Sequence, residues 1–139
     1  MNKVLIVEAS ESDRRLMSGL LVKSGYEPIA VEAMEAAKDE VAKLPPGAVI
    51  VAAMKFVRGT AQELINWQKT EGYGFPVVAI VDNLNPLDIA DVMKDGGAVN
   101  IIQRPAMDKQ LVETVGRYAR PGRTTLLLPD ELIPRRSEA

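Results

Sequence analysis

The stretch that decides the fold is Lys3-Val4-Leu5-Ile6-Val7-Glu8. An apolar, β-branched run without polar alternation is typical of a strand that is buried on both faces, as in parallel sheets covered by helices. A helical pattern follows this run. Ser10 is the predicted N-terminal cap of that helix, and Asp13 completes an approximate capping box. We therefore expect a buried strand that leads directly into a helix.

The same alternation of apolar run and helical pattern continues along the chain. Further strands are predicted at residues 28–31, 48–52, 76–81 and 99–102. Because parallel strands that are joined by helices form right-handed crossovers, we predict an α/β, flavodoxin-like (βα)5 fold with a doubly wound, five-stranded parallel sheet of order 2-1-3-4-5. Pro28 cannot donate a hydrogen bond to a sheet, so the second strand should lie at an edge, as this order requires.

The length of 139 residues is normal for one domain. We expect residues 1–120 to form the α/β domain and residues 121–139 to form a C-terminal tail. Residues 124–128 of this tail read Thr-Thr-Leu-Leu-Leu. Such a run is expected either to add a strand to a sheet edge or to pack back on its own domain.

The composition excludes several kinds of chemistry. The chain has no cysteine and no histidine, which removes thiol nucleophiles, thiolate metal sites and the commonest general base. A formal net charge of −2 gives no broad attraction for nucleic acid, and no apolar run reaches the length of a membrane span. We therefore expect a cytoplasmic protein that binds neither nucleic acid nor membrane.

Three segments resemble parts of response-regulator receiver domains. Residues 3–8 resemble the first strand with its terminal acidic residues, and Gly25-Tyr26-Glu27 resembles the turn into the second strand. Residues 97–105, which end in Arg104-Pro105, resemble the fifth strand and its lysine–proline end. The resemblance covers roughly residues 2–120 and implies a role in two-component, phosphorelay-type signal transduction.

The resemblance also implies a phosphorylation site, which this chain does not reproduce. The family has two acidic residues for magnesium, a phosphorylated aspartate, a hydroxyl residue and a lysine. The matching positions hold Glu8, Ala9, Ala53, Val81 and Arg104. A methyl group has no nucleophilic oxygen, and Mg²⁺ requires oxygen ligands. We therefore predict a degenerate receiver, or pseudo-receiver, that is not phosphorylated. We also predict that it is not an enzyme and holds no metal or cofactor.

Charged side chains remain around this degenerate pocket. We predict that Glu8 pairs with Arg104 or with Lys55, so that a fixed ion pair replaces magnesium and phosphate; the alternative is a solvated Glu8 at the sheet edge. Asp82 is not expected to replace the acceptor, because it follows the wrong strand.

The resemblance implies a function in binding. We predict a phosphorylation-independent protein-interaction module that binds protein partners, or a second copy of the chain, through its fourth helix, fifth strand and last helix. The candidate contacts are Leu87, Asp91, Lys94, Ile101, Lys109 and Arg117. The alternative is a small molecule or nucleotide that binds at the carboxyl ends of the strands. No output domain is expected within the sequence, so output would come through a partner, dimerisation or a further domain.

Overall fold

The computed structural model describes residues 2–83 and 85–119. The predicted tail, residues 121–139, lies outside the described residues, and so does the expectation for residues 124–128. Over the described part the chain alternates strands and helices. The order is β1 (Lys3–Val7), α1 (Glu11–Lys23), β2 (Glu27–Val31), α2 (Met34–Val41), β3 (Val49–Ala53), β4 (Lys55–Phe56), β5 (Gly59–Thr60), α3 (Ala61–Thr70), β6 (Val77–Val81), α4 (Pro86–Met93), β7 (Asn100–Gln103), a 3₁₀ turn (Arg104–Ala106) and α5 (Met107–Tyr118).

The main sheet has five parallel strands in the order β2-β1-β3-β6-β7. Since β6 and β7 are its fourth and fifth strands along the chain, the predicted order 2-1-3-4-5 is confirmed, and so is the α/β flavodoxin-like fold. Pro28 lies in β2, which is an edge strand as predicted.

The helices cover both faces of the sheet. Leu5 and Val7 of β1 face the side packed by α2, α3 and α4, whereas Val4 and Ile6 face the side packed by α1 and α5. Successive residues of a strand point to opposite faces, so an uninterrupted apolar run is needed to fill both cores. Within residues 2–83 and 85–119, no helix is both long enough and apolar enough to span a bilayer.

One feature that the sequence did not predict is a small antiparallel hairpin after β3. Strands β4 and β5 pair Lys55 with Thr60 and Phe56 with Gly59, and neither is among the predicted strands. The hairpin packs closely against α2. A Cβ atom added at Gly59 would lie only 2.4 Å from Cε of Met34, so this position has no room for a side chain unless Met34 shifts. Strands of two residues are too short for hydrophobic periodicity to indicate them.

Candidate functional site

The carboxyl end of the sheet holds a cluster of four charged side chains around Arg104. Its Nη1 donates hydrogen bonds to Oε1 of Glu8 at 2.7 Å and to Oδ2 of Asp13 at 2.6 Å. Its Nε donates to Oδ1 of Asp82 at 2.7 Å. One guanidinium thus joins the end of β1, the first turn of α1 and the end of β6. We call these four residues the Arg104 cluster.

The sheet explains why three members of the cluster meet. Glu8, Asp82 and Arg104 each lie two positions beyond an isoleucine that packs on the α1 and α5 side of the sheet. These isoleucines are Ile6, Ile80 and Ile102. Because side chains alternate along a strand with a period of two, the three charged residues continue on that side, where α1 begins.

The start of α1 supplies the fourth member. Oγ of Ser10 accepts a hydrogen bond from the backbone N–H of Asp13 at 3.3 Å, as predicted for the helix cap. In a complete capping box the Asp13 side chain would accept from the N–H of Ser10. Instead, Oε2 of Glu8 accepts from that N–H at 2.9 Å, so the predicted capping box is wrong in this half. The Asp13 carboxylate is therefore available to Arg104.

The three carboxylates differ in their exposure. The side chain of Glu8 is 5% exposed, whereas that of Asp82 is 75% exposed. Asp13 and Arg104 are intermediate, each with 26% of the side chain exposed. Water screens an exposed pair far more than a buried one, so loss of its partner should cost most at the Glu8 arm and least at the Asp82 arm.

The charge state of Arg104 follows from these contacts. Partial burial alone would lower the pKa of the guanidinium. The hydrogen bonds that Arg104 donates to Glu8 and Asp82, together with the negative charges of these carboxylates, outweigh this effect and raise the pKa of Arg104 above its ordinary value. Arg104 is therefore a permanent cation at the position where the resemblance implies a lysine.

The predicted pairing of Glu8 can now be compared with the structure. Of the two predicted partners, Arg104 forms the ion pair with Glu8, and the alternative of a solvated Glu8 is wrong. Lys55 lies exposed on β4 and forms no ion pair with any described residue. Strands β3 and β6 lie between β1 and β7, the strands that Glu8 and Arg104 follow. The long arginine side chain spans this gap.

The other pocket positions carry no polar side chain. Ala53 ends β3 and is 1% exposed, and its neighbour Ala52 is fully buried. Val81 ends β6 and is also buried, whereas Ala9 is exposed between β1 and α1. Either alanine at the end of β3 leaves that strand without an oxygen nucleophile. Among the residues that the structure describes, no group of acidic side chains has the arrangement of a metal site.

The predicted partner contacts lie on or directly after α4, on β7 and on α5, but not all of them at one edge, because Asp91 and Lys94 line a groove between α3 and α4. Helix α4 packs on one face of the sheet and α5 on the other, so the two helices flank β7. Five of the six side chains are exposed, and Ile101 is partly buried against the core. We call this the β7-edge surface, with its candidate contacts Leu87, Asp91, Lys94, Ile101, Lys109 and Arg117.

The roles of Asp13 and Asp82 in the cluster were missed at the level of sequence. Asp82 directly follows a predicted strand, and its spacing from Ile80 matches that of Glu8 from Ile6, which is a usable signal. Asp13 gave no such signal, because an acidic residue in the first turn of a helix is well explained by capping.

Comparisons with known proteins agree with this architecture. No protein-family model and no curated protein matches the chain. The chemotaxis response regulator CheY4 of Vibrio cholerae is 25% identical and has a TM-score of 0.75, over 85% of this chain and 98% of that one. The beryllofluoride-activated NtrC4 receiver domain dimer is 22% identical and has a TM-score of 0.77, over 86% and 97% of the two chains.

A third similar structure covers more of this chain. The signal receiver domain of a signal transduction histidine kinase from Syntrophus aciditrophicus is 20% identical and has a TM-score of 0.73, over 96% of this chain and 98% of that one. These three structures are a chemotaxis response regulator and two receiver domains. The chain therefore has the receiver-domain fold, which is a flavodoxin-like α/β fold.

Proposed function

We propose that this chain is a pseudo-receiver in signal transduction, a protein-interaction module that works without phosphorylation. The observation that carries the proposal is the Arg104 cluster. At the edge where the resemblance implies magnesium and an aspartyl phosphate, a guanidinium bonds three carboxylates. The strand that would carry the acceptor ends in alanine.

Phosphoryl transfer at this edge of the sheet lacks both a nucleophile and a magnesium site. A carboxylate oxygen must attack phosphorus, and neither Ala52 nor Ala53 has one. Asp82 has a carboxylate, but it follows β6 rather than β3, and Val81 before it has no hydroxyl. A magnesium ion that used the oxygens of Glu8 or Asp13 would lie close to the positive charge of Arg104, which repels it.

A module of this kind acts by binding rather than by chemistry. We expect it to be cytoplasmic, to catalyse no reaction, and to bind a protein partner or a second copy through the β7-edge surface. Leu87 supports this proposal, because its side chain is apolar and 77% exposed. The alternative ligand, a small molecule or nucleotide at the carboxyl edge, receives less support, because Glu8, Asp13, Asp82 and Arg104 are paired with one another.

The first experiment is an NMR titration of amide shifts with Mg²⁺ and beryllofluoride, which mimics an aspartyl phosphate. We expect no saturable shifts in the native chain. Arg104→Met is the matched variant, because it removes the guanidinium and leaves the carboxylates free; it should acquire Mg²⁺-dependent shifts near Glu8 and Asp13. Saturable shifts around Glu8 and Ala53 in the native chain would contradict the proposal and favour the ligand-binding alternative.

The second experiment tests the surface. Leu87→Asp should weaken self-association, measured by light scattering across a concentration series, or binding to a captured protein partner. Val22→Asp is the control, since Val22 is also apolar and is 59% exposed but lies on α1. Equal effects of the two variants would contradict a role for the β7-edge surface.

A further inference from the structure

A second feature of the molecule lies at the opposite, amino end of the sheet. A groove of about 560 Å³ is formed by the end of α3, the start of β6, the loop after α4 and the end of α5. Its walls include four apolar or aromatic side chains, Tyr73, Phe75, Val99 and Tyr118. The Arg104 cluster takes no part in this groove, which we call the amino-end groove.

The groove exposes apolar surface on a rigid support. The rings of Tyr73 and Phe75 stack with their centroids 6.3 Å apart, and Tyr73 also stacks on Trp67 at 5.6 Å. Val99 is 38% exposed.

The side chain of Gln68 is fully used, because it both donates to and accepts from the backbone of Phe75 at 3.0 Å. Lys69 also lines the groove, and its Nζ donates a hydrogen bond to the backbone carbonyl of Asp95. With this charge engaged, the groove suits a largely apolar segment of chain.

Helix α5 ends in the wall of this groove. The hydroxyl of Tyr118 donates to the carbonyl of Val99 at 3.2 Å and accepts from Nδ2 of Asn100 at 3.4 Å. Ala119, which follows, has an extended backbone with φ −68° and ψ 140°. The chain thus leaves the helix at the groove itself, and this exit point is anchored to β7.

The sequence after this exit point has the composition that the groove requires. Pro121-Gly122 is a turn signal, and residues 124–128 contain three consecutive leucines. From Ala119 to Thr124 an extended chain reaches roughly 17 Å at about 3.4 Å per residue. Because the segment is tethered, its effective concentration at the groove is on the order of millimolar, which an independent partner would rarely match.

We infer that residues 124–128 of the same chain dock into the amino-end groove, with the leucines against Phe75, Val99 and Tyr118. The inference does not depend on the proposed function, since it concerns the opposite end of the sheet. If the segment docks there, the residues directly after 128 are held at the amino end of the sheet and do not cover the carboxyl edge.

The chain offers a clean test because it contains no cysteine. A nitroxide spin label on Asp130→Cys, in the full chain, should broaden the amide NMR signals of Gly74, Gly97 and Val99. It should leave the signal of Ala9, at the other end of the sheet, unchanged. Absence of broadening at the groove would overturn the inference.

A blocking variant sharpens the test. Gly74 lines the groove, its φ is not positive, and a Cβ atom added there meets no atom within 4 Å. Gly74→Trp should therefore fold, fill the groove and abolish the broadening. Gly19→Trp is the control, because Gly19 on α1 is equally open and remote from the groove; it should keep the broadening. Broadening that survives Gly74→Trp would overturn the inference.

A mixing experiment identifies which chain supplies the docked segment. Spin-labelled protein of natural isotopic abundance is mixed with ¹⁵N protein that carries no spin label. Residues 124–128 of the same chain should give no broadening in the mixed sample. Groove broadening of ¹⁵N protein in that mixture would show that a second copy supplies the segment, and would overturn docking within one chain. The spectra of both tryptophan variants also report directly that each is folded.

Discussion

Arg104→Met is the perturbation that tests the Arg104 cluster most directly. Methionine keeps much of the apolar stem of arginine but removes all three charge-assisted hydrogen bonds. Glu8, at 5% exposure of its side chain, then remains nearly buried with only the N–H of Ser10 as a hydrogen-bond donor among these contacts. We expect the folded state to lose stability, because a buried charge has lost its counter-charge.

The size of the effect follows from the exposure of each arm. Loss of one partner of a fully buried pair costs about 3–5 kcal/mol, and a hydrogen bond to a charged group contributes about 1.5–3 kcal/mol. Arg104 is 26% exposed and Glu8 keeps one hydrogen-bond donor, so the smaller of these two ranges applies to the buried part of the cluster. The Asp82 arm is exposed and adds about 0–1 kcal/mol. We expect a total loss of about 2–3 kcal/mol in the free energy of unfolding.

Urea denaturation followed by circular dichroism measures this loss. With an m-value of about 1–3 kcal/mol/M for a small domain, the midpoint should fall by about 0.7–3 M. The double variant Glu8→Gln with Arg104→Met should recover about 1–2 kcal/mol relative to additivity. Arg117→Met is the control, since its pair with Glu113 is exposed on both sides. A midpoint shift no larger than that of Arg117→Met, without coupling to Glu8, would refute the reasoning.

Three further predictions follow from the same contacts. The pKa of Arg104 is raised in the folded state, so its stabilising charge is fully present below the unfolded-state pKa and is lost only as pH rises through the folded-state pKa. Both pKa values lie above about pH 10. The coupling energy between Glu8 and Arg104, measured by the same urea cycle, should therefore be equal at about pH 7 and about pH 10. Ala53→Asp should gain no phosphoryl group from acetyl phosphate in intact-mass spectrometry, because Ala9 and Val81 still supply no oxygen; a stoichiometric adduct would contradict this. Gly97→Ala should lower stability by about 1–3 kcal/mol in thermal denaturation, since its Cβ would lie 2.1 Å from the carbonyl oxygen of Val92, whereas Gly74→Ala should change it by no more than about 0.5 kcal/mol.

The sheet was predictable because its signals are local and repeated. Runs such as residues 76–81 are buried on both faces and must be apolar throughout, and Pro28 identifies an edge strand without any tertiary information. The hairpin β4–β5 was not predictable in this way. It depends on the packing of Gly59 and Phe56 against α2, a contact between segments that the pattern of either one does not reveal.

The candidate site was predictable only in part, for a related reason. Glu8 and Arg104 followed from their places at strand ends in the resemblance. Their meeting across two intervening strands depends on the length of one arginine side chain and on a helix cap that leaves Asp13 free. Both Glu8 and Asp13 are close enough in sequence to accept from the N–H of Ser10. Tertiary contacts decide which of the two carboxylates does so, and sequence does not reveal them. Sequence alone therefore predicted one arm of the cluster and missed two.

The unequal arms of the cluster suggest how binding would replace phosphorylation as the source of a conformational change. A partner shifts an equilibrium only by its difference in affinity for the two states. The Asp82 arm links the loop before α4 to Arg104 and is exposed, so releasing it costs about 0–1 kcal/mol. The Glu8 and Asp13 arms hold β1 and α1 and cost more to break. A partner that binds this loop better when the Asp82 arm is broken would therefore need to supply only about 0–1 kcal/mol to release it, whereas the Glu8 and Asp13 arms cost more to break.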